Sequence, residues 1–285
     1  MTTPTSRYLR CQGREIHFTE WGSQHRETVI AWHALARTGR DMDHAAAHLA
    51  RRYRVICPDT IGRGFSEWAQ DPAREYCLAS YVGLATSLVD QLDIDRFHWL
   101  GTSMGGAIGI AAAAGPLRGR MRRLVLNDMG PQLSKEALAR IAVYASTPPA
   151  FDTVSELERY FREVYKPFGW MSDEQWRLLA ESSTRRLPDG RVTPHYDPAI
   201  AQQFVAHPQD YDQWAAWDTL TLPVLCLRGA DSDLLLADAL EEMARRGPRA
   251  STVTIPSCGH APALNVPEHL ALIEAFFAAD QLVAA

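Results

Sequence analysis

Apolar positions along the chain fall into short β-like runs that alternate with stretches of helical period. Residues 14–22 (REIHFTEWG) read as a strand with Ile16 and Phe18 on one face, and 28–34 (TVIAWHA) as a short apolar strand. Residues 41–52 are Ala-rich and helical, and 54–59 (RVICPD) form a strand ending in the turn residues Pro58, Gly62 and Gly64. From Leu78 to Leu92, the residues Leu78, Tyr81, Val82, Ala85, Leu88, Val89 and Leu92 repeat at 3.6-residue spacing, which predicts an amphipathic helix. A strand at 97–103, a small-residue helix at 104–114 and a strand at 121–128 continue the alternation. Strands alternating with helices predict a mostly parallel sheet covered on both faces.

The rhythm breaks after Gly130 and Pro131. Residues 132–217 carry helix signals but no convincing buried strand. Ser155 with Glu158 and Ser172 with Gln175 read as capping boxes, and 185–198 as a loop. This segment is rich in aromatic residues: Phe151, Tyr160, Phe161, Phe168, Trp170, Trp176, Trp214 and Trp217. They either line an apolar substrate pocket or pack the segment onto the core. Arg185, Arg186 and Arg191 read as solvated loop arginines, with contact to a substrate carboxylate as the alternative. The sheet pattern resumes at 223–229 (PVLCLRG), followed by a helix near 237–246, a strand beginning at 251 and a final helix from Pro267 to about Asp280. The expected organisation is a core of residues 1–131 and 218–285, interrupted by a helical insertion at 132–217.

A chain of 285 residues supports one large α/β domain without a metal or disulfide staple. The formal charge of −5 leaves no electrostatic footprint for nucleic acid, and no basic run suggests a lipid surface. The five cysteines are scattered, odd in number and free of CxxC pairs, so neither a zinc knot nor a disulfide framework is indicated. The N-terminus lacks the apolar core of a signal peptide, and no apolar stretch is long enough to cross a bilayer. A reduced, cytoplasmic protein acting on a small molecule is expected. The oligomeric state is left open.

Chemistry concentrates at Gly101-Thr102-Ser103-Met104-Gly105-Gly106, between a strand and a helix, the setting a G-x-S-x-G motif requires. A side chain at the tip of a sharp strand-to-helix turn is exposed, while its crowded neighbours must be nearly free of side chains. Neutral serine is a weak nucleophile and needs an adjacent base. Of ten histidines, His260 combines a late position, a strand end and turn chemistry (Pro256 to Pro262). The orienting carboxylate is expected after the strand that resumes at 223, where Asp231 and Asp233 compete; Asp233 is preferred and Asp128, ending an earlier strand, stands third. The N–H of Met104 and that of Leu35, after TVIAWHA, are the expected oxyanion donors. No metal or organic cofactor is needed.

With these residues in hand the chain resembles the α/β-hydrolase superfamily over nearly its whole length. The matching stretches are WHALART (32–38), PDTIGRGFS (58–66), GTSMGG (101–106), RGADSD (228–233) and GHAP (259–262). The resemblance implies an eight-stranded, mostly parallel sheet with a helical cap inserted after the sixth strand. It also implies the esterase, lactonase and carbon–carbon hydrolase branches. Relatives with RG-x-x-SD use the second acid, which favours Asp233. Two departures stand out: Ala34 replaces the usual glycine of the oxyanion loop, and Ser232 occupies the place of the commoner Gly-x-x-Asp acid. His33 and Asp59 are implied to be loop anchors.

A small, fairly apolar carboxylic ester or lactone is the expected substrate, cleaved through an acyl-enzyme. A ring-fission carbon–carbon hydrolase, a cofactor-free acyl transferase or perhydrolase, and a non-catalytic receptor on the same fold are the rivals.

Overall fold

The computed structural model describes residues 3–279. Strands β1 (Thr5–Cys11), β2 (Arg14–Trp21) and β3 (Thr28–Trp32) lead to helix α1 (Asp43–Leu49) and strand β4 (Arg54–Pro58). The short α2 (Pro72–Glu75), then α3 (Leu78–Gln91), β5 (Phe97–Thr102), α4 (Met104–Ala114) and β6 (Met121–Asn127) follow. Between β6 and the next strand of the main sheet lie α5 (Lys135–Ser146), α6 (Val154–Val164), α7 (Asp173–Ser182), a small hairpin of β7 (Thr184–Arg186) and β8 (Val192–Pro194), and the single turns α8 (Gln203–Ala206) and α9 (Trp214–Trp217). The chain closes with β9 (Val224–Gly229), α10 (Ala237–Arg245), β10 (Ser251–Ile255) and α11 (Pro267–Ala278). Asp280, the expected end of the last helix, lies outside the described residues.

The main sheet has eight strands in the order β1-β2-β4-β3-β5-β6-β9-β10. The β1–β2 and β2–β4 pairs are antiparallel, and the remaining pairs are parallel. Every residue of β3, β5 and β9 is buried, as the continuous apolar runs of a parallel sheet covered on both faces require. Two apolar clusters form the core, one on each face of the sheet. On one face Trp32 and Trp99, from neighbouring strands, stack with centroids 5.3 Å apart, and the Trp99 indole donates to the Gly105 carbonyl at 2.9 Å. That contact fixes the start of α4 against the sheet.

Strand β1 and the β7–β8 hairpin were not expected from the pattern. Strand β1 is an edge strand, exposed along most of its length, and so carries no apolar period. The hairpin strands are three residues each, too short to show an alternation. Ser172 and Gln175 form a capping box as expected. The other box is formed two residues earlier than the sequence reading placed it, by Thr153 and Glu156 rather than Ser155 and Glu158.

The segment between β6 and β9 holds an apolar cluster of its own, centred on Leu157, Phe161, Trp176 and Leu179. It is tied to the sheet region by Tyr76, whose hydroxyl donates to Asp197 at 2.6 Å, and by the Gly64 N–H, which donates to the His195 carbonyl at 3.1 Å. The division of the aromatic residues is mixed. Phe161 and Trp176 pack within the segment, Trp217 joins the main core, and Trp170 is exposed. Tyr160 and Phe168 line a cavity described below. Arg185 lies over the Trp68 ring, Arg186 donates to the Gly190 carbonyl and Arg191 pairs with Asp189, so none of the three enters that cavity.

Candidate active site

Ser103 sits between the end of β5 and the start of α4 with φ +51° and ψ −118°, a backbone state that costs a non-glycine residue roughly 1–3 kcal/mol. Packing holds it there. The Ser103 N–H donates to the Asn127 carbonyl at 3.0 Å, and the Gly106 and Ala107 N–H groups return to the Ser103 carbonyl at 2.7 and 3.1 Å. A side chain at Gly101 would overlap the Gly105 backbone, and one at Gly105 would overlap the Trp32 carbonyl. The glycines on either side of the serine are therefore steric requirements of the turn.

His260 reaches Ser103 from the loop after β10. Its Nε2 lies 2.9 Å from Ser103 Oγ, and its Nδ1 lies 2.6 Å from Asp128 Oδ2. The Nδ1–H therefore donates to the carboxylate, leaving Nε2 to accept from the serine hydroxyl. Asp128 is fully buried and takes two further donors: the Gly229 N–H at 2.9 Å on Oδ1 and the Ser232 hydroxyl at 2.6 Å on Oδ2. A carboxylate, which only accepts, suits a pocket of three converging donors.

The structure thus brings Ser103 and His260 together as expected but places Asp128, not Asp233, against the imidazole. Asp233 makes no hydrogen bond to His260; it is largely exposed and pairs with Arg140 of α5 at 2.6 Å. Asp231 makes no hydrogen bond to the ring either; its N–H donates to the Cys258 carbonyl at 2.9 Å. Sheet order makes Asp128 available to the ring. Strands β6 and β9 are neighbours, so the residue after β6 and the loop after β9 end side by side. Asp128, itself at φ +52°, directs its carboxylate into the gap, and Ser232 fills the place that the commoner spacing gives to an acid.

The Leu35 and Met104 N–H groups make no backbone hydrogen bond among the described residues. Met104 opens α4, where helical N–H groups have no acceptor within the helix. Both residues converge on Arg63, which the sequence reading passed over. This fully buried guanidinium donates to the Leu35 carbonyl at 2.9 Å, the Ile61 carbonyl at 2.7 Å, the Tyr81 hydroxyl at 3.1 Å and the Met104 sulfur at 3.4 Å. Its only trace in the sequence is a cationic residue between two turn glycines, Gly62 and Gly64.

His33 and Asp59 brace the loops behind the site. The His33 Nδ1–H donates to the Ala34 carbonyl at 2.6 Å, and Nε2 accepts the Thr60 N–H at 3.0 Å. Asp59 accepts the Gly39 N–H at 2.6 Å, the Phe65 N–H at 2.9 Å and the His17 ring at 2.7 Å. Burial pushes Asp59 up, but these partners outweigh it and hold the carboxyl below its usual range.

Burial drives the His33 imidazole down to about 4 from an ordinary value of 6.5. Between those pH values the unfolded chain binds a proton that the folded chain refuses. The stability that neutral His33 contributes is complete above pH 6.5 and falls as pH drops toward 4, by up to about 3 kcal/mol. Unfolding midpoints measured from pH 7.5 to 4.5 are expected to fall less steeply for His33→Asn than for the native chain. Parallel slopes would refute the assignment.

A cavity of about 540 Å³ opens above Ser103 and His260. Ala34, Leu35, Phe168 and a set of tyrosines form part of its wall. Among the described residues there is no group of three His, Cys, Asp or Glu placed to hold a metal ion, and no helix is long and apolar enough to cross a membrane.

Residues 29–271 match the model of the alpha/beta hydrolase family. A 3-hydroxybutyrate-oligomer hydrolase of Cupriavidus necator is 38% identical over 270 residues, which span 91% of this chain and 92% of the relative. A pimeloyl-[acyl-carrier protein] methyl ester esterase of Nitrosomonas europaea is 28% identical over 84% of this chain and 91% of its own length. Among solved structures, an alpha/beta hydrolase from Novosphingobium aromaticivorans superposes with a TM-score of 0.85 at 36% identity, covering 96% of this chain and 97% of that one.

Proposed function

Because the chain belongs to the alpha/beta hydrolase family, we propose that it is a serine esterase that cleaves a carboxylic ester through an acyl-enzyme, with Ser103, His260 and Asp128 as its triad. The observation that carries this reading is the unbroken line of hydrogen bonds from the Ser103 hydroxyl through the His260 ring to the Asp128 carboxylate. The similarity to an oligoester hydrolase and to a methyl ester esterase supports an ester bond as the target.

In the proposed cycle Ser103 Oγ attacks the ester carbonyl as His260 Nε2 takes its proton. Asp128 holds the imidazole tautomer and steadies the imidazolium. The Leu35 and Met104 N–H groups receive the oxyanion, held in place through Arg63. His260 then protonates the departing alcohol, and water repeats the sequence on the acyl-enzyme. Residues 132–217 act as a cap that shapes the acyl pocket.

A fluorophosphonate is expected to label Ser103 and no other serine, and His260→Ala to abolish labelling in a chain with native circular dichroism. The same preparation, assayed on esters, lactones, thioesters and dienoates, is expected to turn over esters with a burst. Cleavage of the dienoate alone would replace the reading with a carbon–carbon hydrolase; labelling at another serine would remove the nucleophile assignment.

A further inference from the structure

The wall of the cavity above Ser103 has more hydrogen-bond donors than a hydrocarbon acyl chain needs. Tyr144 comes from α5, Tyr160 from α6, Tyr165 from the residue that ends α6, and Tyr196 from just beyond β8. The hydroxyls of Tyr144, Tyr160 and Tyr196 have no hydrogen-bond partner among the described residues. Burial and the neighbouring phenols push the Tyr196 hydroxyl well above the ordinary phenol range, and a phenol is in any setting a donor at neutral pH.

Arg37 backs the same wall. It is almost fully buried, with its guanidinium 4.3 Å from the Tyr165 ring centre and 5.4 Å from that of Phe168. One terminal nitrogen pairs with Asp41, while Nε and Nη1 have no partner. The acids that line the cavity, Asp231 and Asp233, belong to the loop after β9, and Arg140 neutralises Asp233. Asp41 likewise balances the charge of Arg37, so the cavity carries no net positive end, and what Arg37 adds is a polar backing to the wall. Between the phenols the wall is apolar, at Ile141, Val164 and Leu234.

Filling such a space with hydrocarbon strips water from donors and offers them nothing in return. A chain in which carbon alternates with acceptor oxygens satisfies them. We infer that this cavity is an acyl subsite for a chain carrying its own acceptor oxygens, a second ester carbonyl or a terminal carboxylate, and that it selects such a chain over a hydrocarbon of equal length. The inference deepens the esterase reading and rests on it.

The test compares p-nitrophenyl 3-acetoxybutanoate with p-nitrophenyl hexanoate, each rate divided by that ester's hydroxide-catalysed rate. Because one net hydrogen bond is worth roughly 2- to 10-fold, kcat/KM is expected to favour the oxygenated ester by about tenfold or more, mainly through KM. The double variant Tyr160→Phe/Tyr196→Phe is expected to bring the ratio near one. Tyr160→Phe alone, at a half-buried site, serves if the double variant does not fold, and is expected to lower the ratio. Calorimetric titration of Ser103→Ala with both esters gives the same preference as a ratio of Kd values, so slow chemistry does not mask it.

Equal or reversed preference with Ser103 still labelled by a fluorophosphonate would overturn the subsite and leave the esterase reading standing. A preference that survives loss of the hydroxyls would also overturn it. No ester turnover and no labelling would remove the esterase reading and the subsite together.

Discussion

Asp128→Asn is expected to lower kcat by about 10⁴-fold with little change in KM, the loss that follows when the orienting carboxylate of a serine triad becomes an amide and fixes the wrong imidazole tautomer. Asp233→Asn, removing half of an exposed ion pair, is expected to leave kcat within about twofold and stability within about 1 kcal/mol. The contrast is sharp because both aspartates sit near the same loop, yet only one touches the ring. Asp128 is buried under three donors, so circular dichroism and a thermal melt must accompany the kinetics to separate misfolding from lost catalysis. Combining Asp128→Asn with Ser232→Asp moves the negative charge across the gap and is expected to recover part of the rate. Ser232→Asp alone crowds two carboxylates at one site and is expected to impair the enzyme. A full loss in Asp233→Asn, with Asp128→Asn active, would reverse the assignment.

Gly105→Ala is the second large effect. The added methyl group lands on the Trp32 carbonyl oxygen, a backbone atom in the buried strand β3 that cannot swing aside. Overpacking of this kind typically costs about 1–3 kcal/mol. The catalytic cost is separate. Relief of the overlap requires α4 to part from the end of β3, and those two elements carry Met104 and lead to Leu35. Losing alignment of one oxyanion donor is expected to lower kcat by about 10²–10³-fold in the fraction that folds. Active-site titration with a fluorophosphonate counts folded sites, so kcat per labelled site isolates the second effect. An unchanged value per site would show that the donors do not depend on this contact.

The core strands were legible because burial on both faces forces long apolar runs, as in 97–102 and 224–229. The turn that carries Ser103 was legible for a related reason: it is so crowded that Gly101 and Gly105 must flank the serine. What was not legible depends on neighbours distant in sequence. Asp231, Asp233 and Asp128 all follow strands and all sit in turn chemistry. The adjacency of β6 and β9 brings both strand ends to His260, so the choice falls to which carboxylate its turn aims at the ring, and that direction leaves no mark on local sequence. Arg63 escaped notice because an arginine between turn glycines ordinarily points to water. Its burial depends on four acceptors supplied by residues from 35 to 104. Of the tyrosine wall only Tyr160 stands out in the sequence, as one aromatic residue among many, because nothing local shows that Tyr144, Tyr165 and Tyr196 converge on the same space.

The carboxylate's placement at Asp128 divides the reacting groups unevenly along the polypeptide. In the proposed site, attacking oxygen, both amide donors and the acid are all supplied between residues 35 and 128, before the backbone departs into its long excursion; the imidazole alone arrives after the return. Length and shape of that excursion can therefore change widely during divergence, or in the laboratory, while four of the five parts keep their spacing, provided that β9 and β10 still dock and deliver one ring.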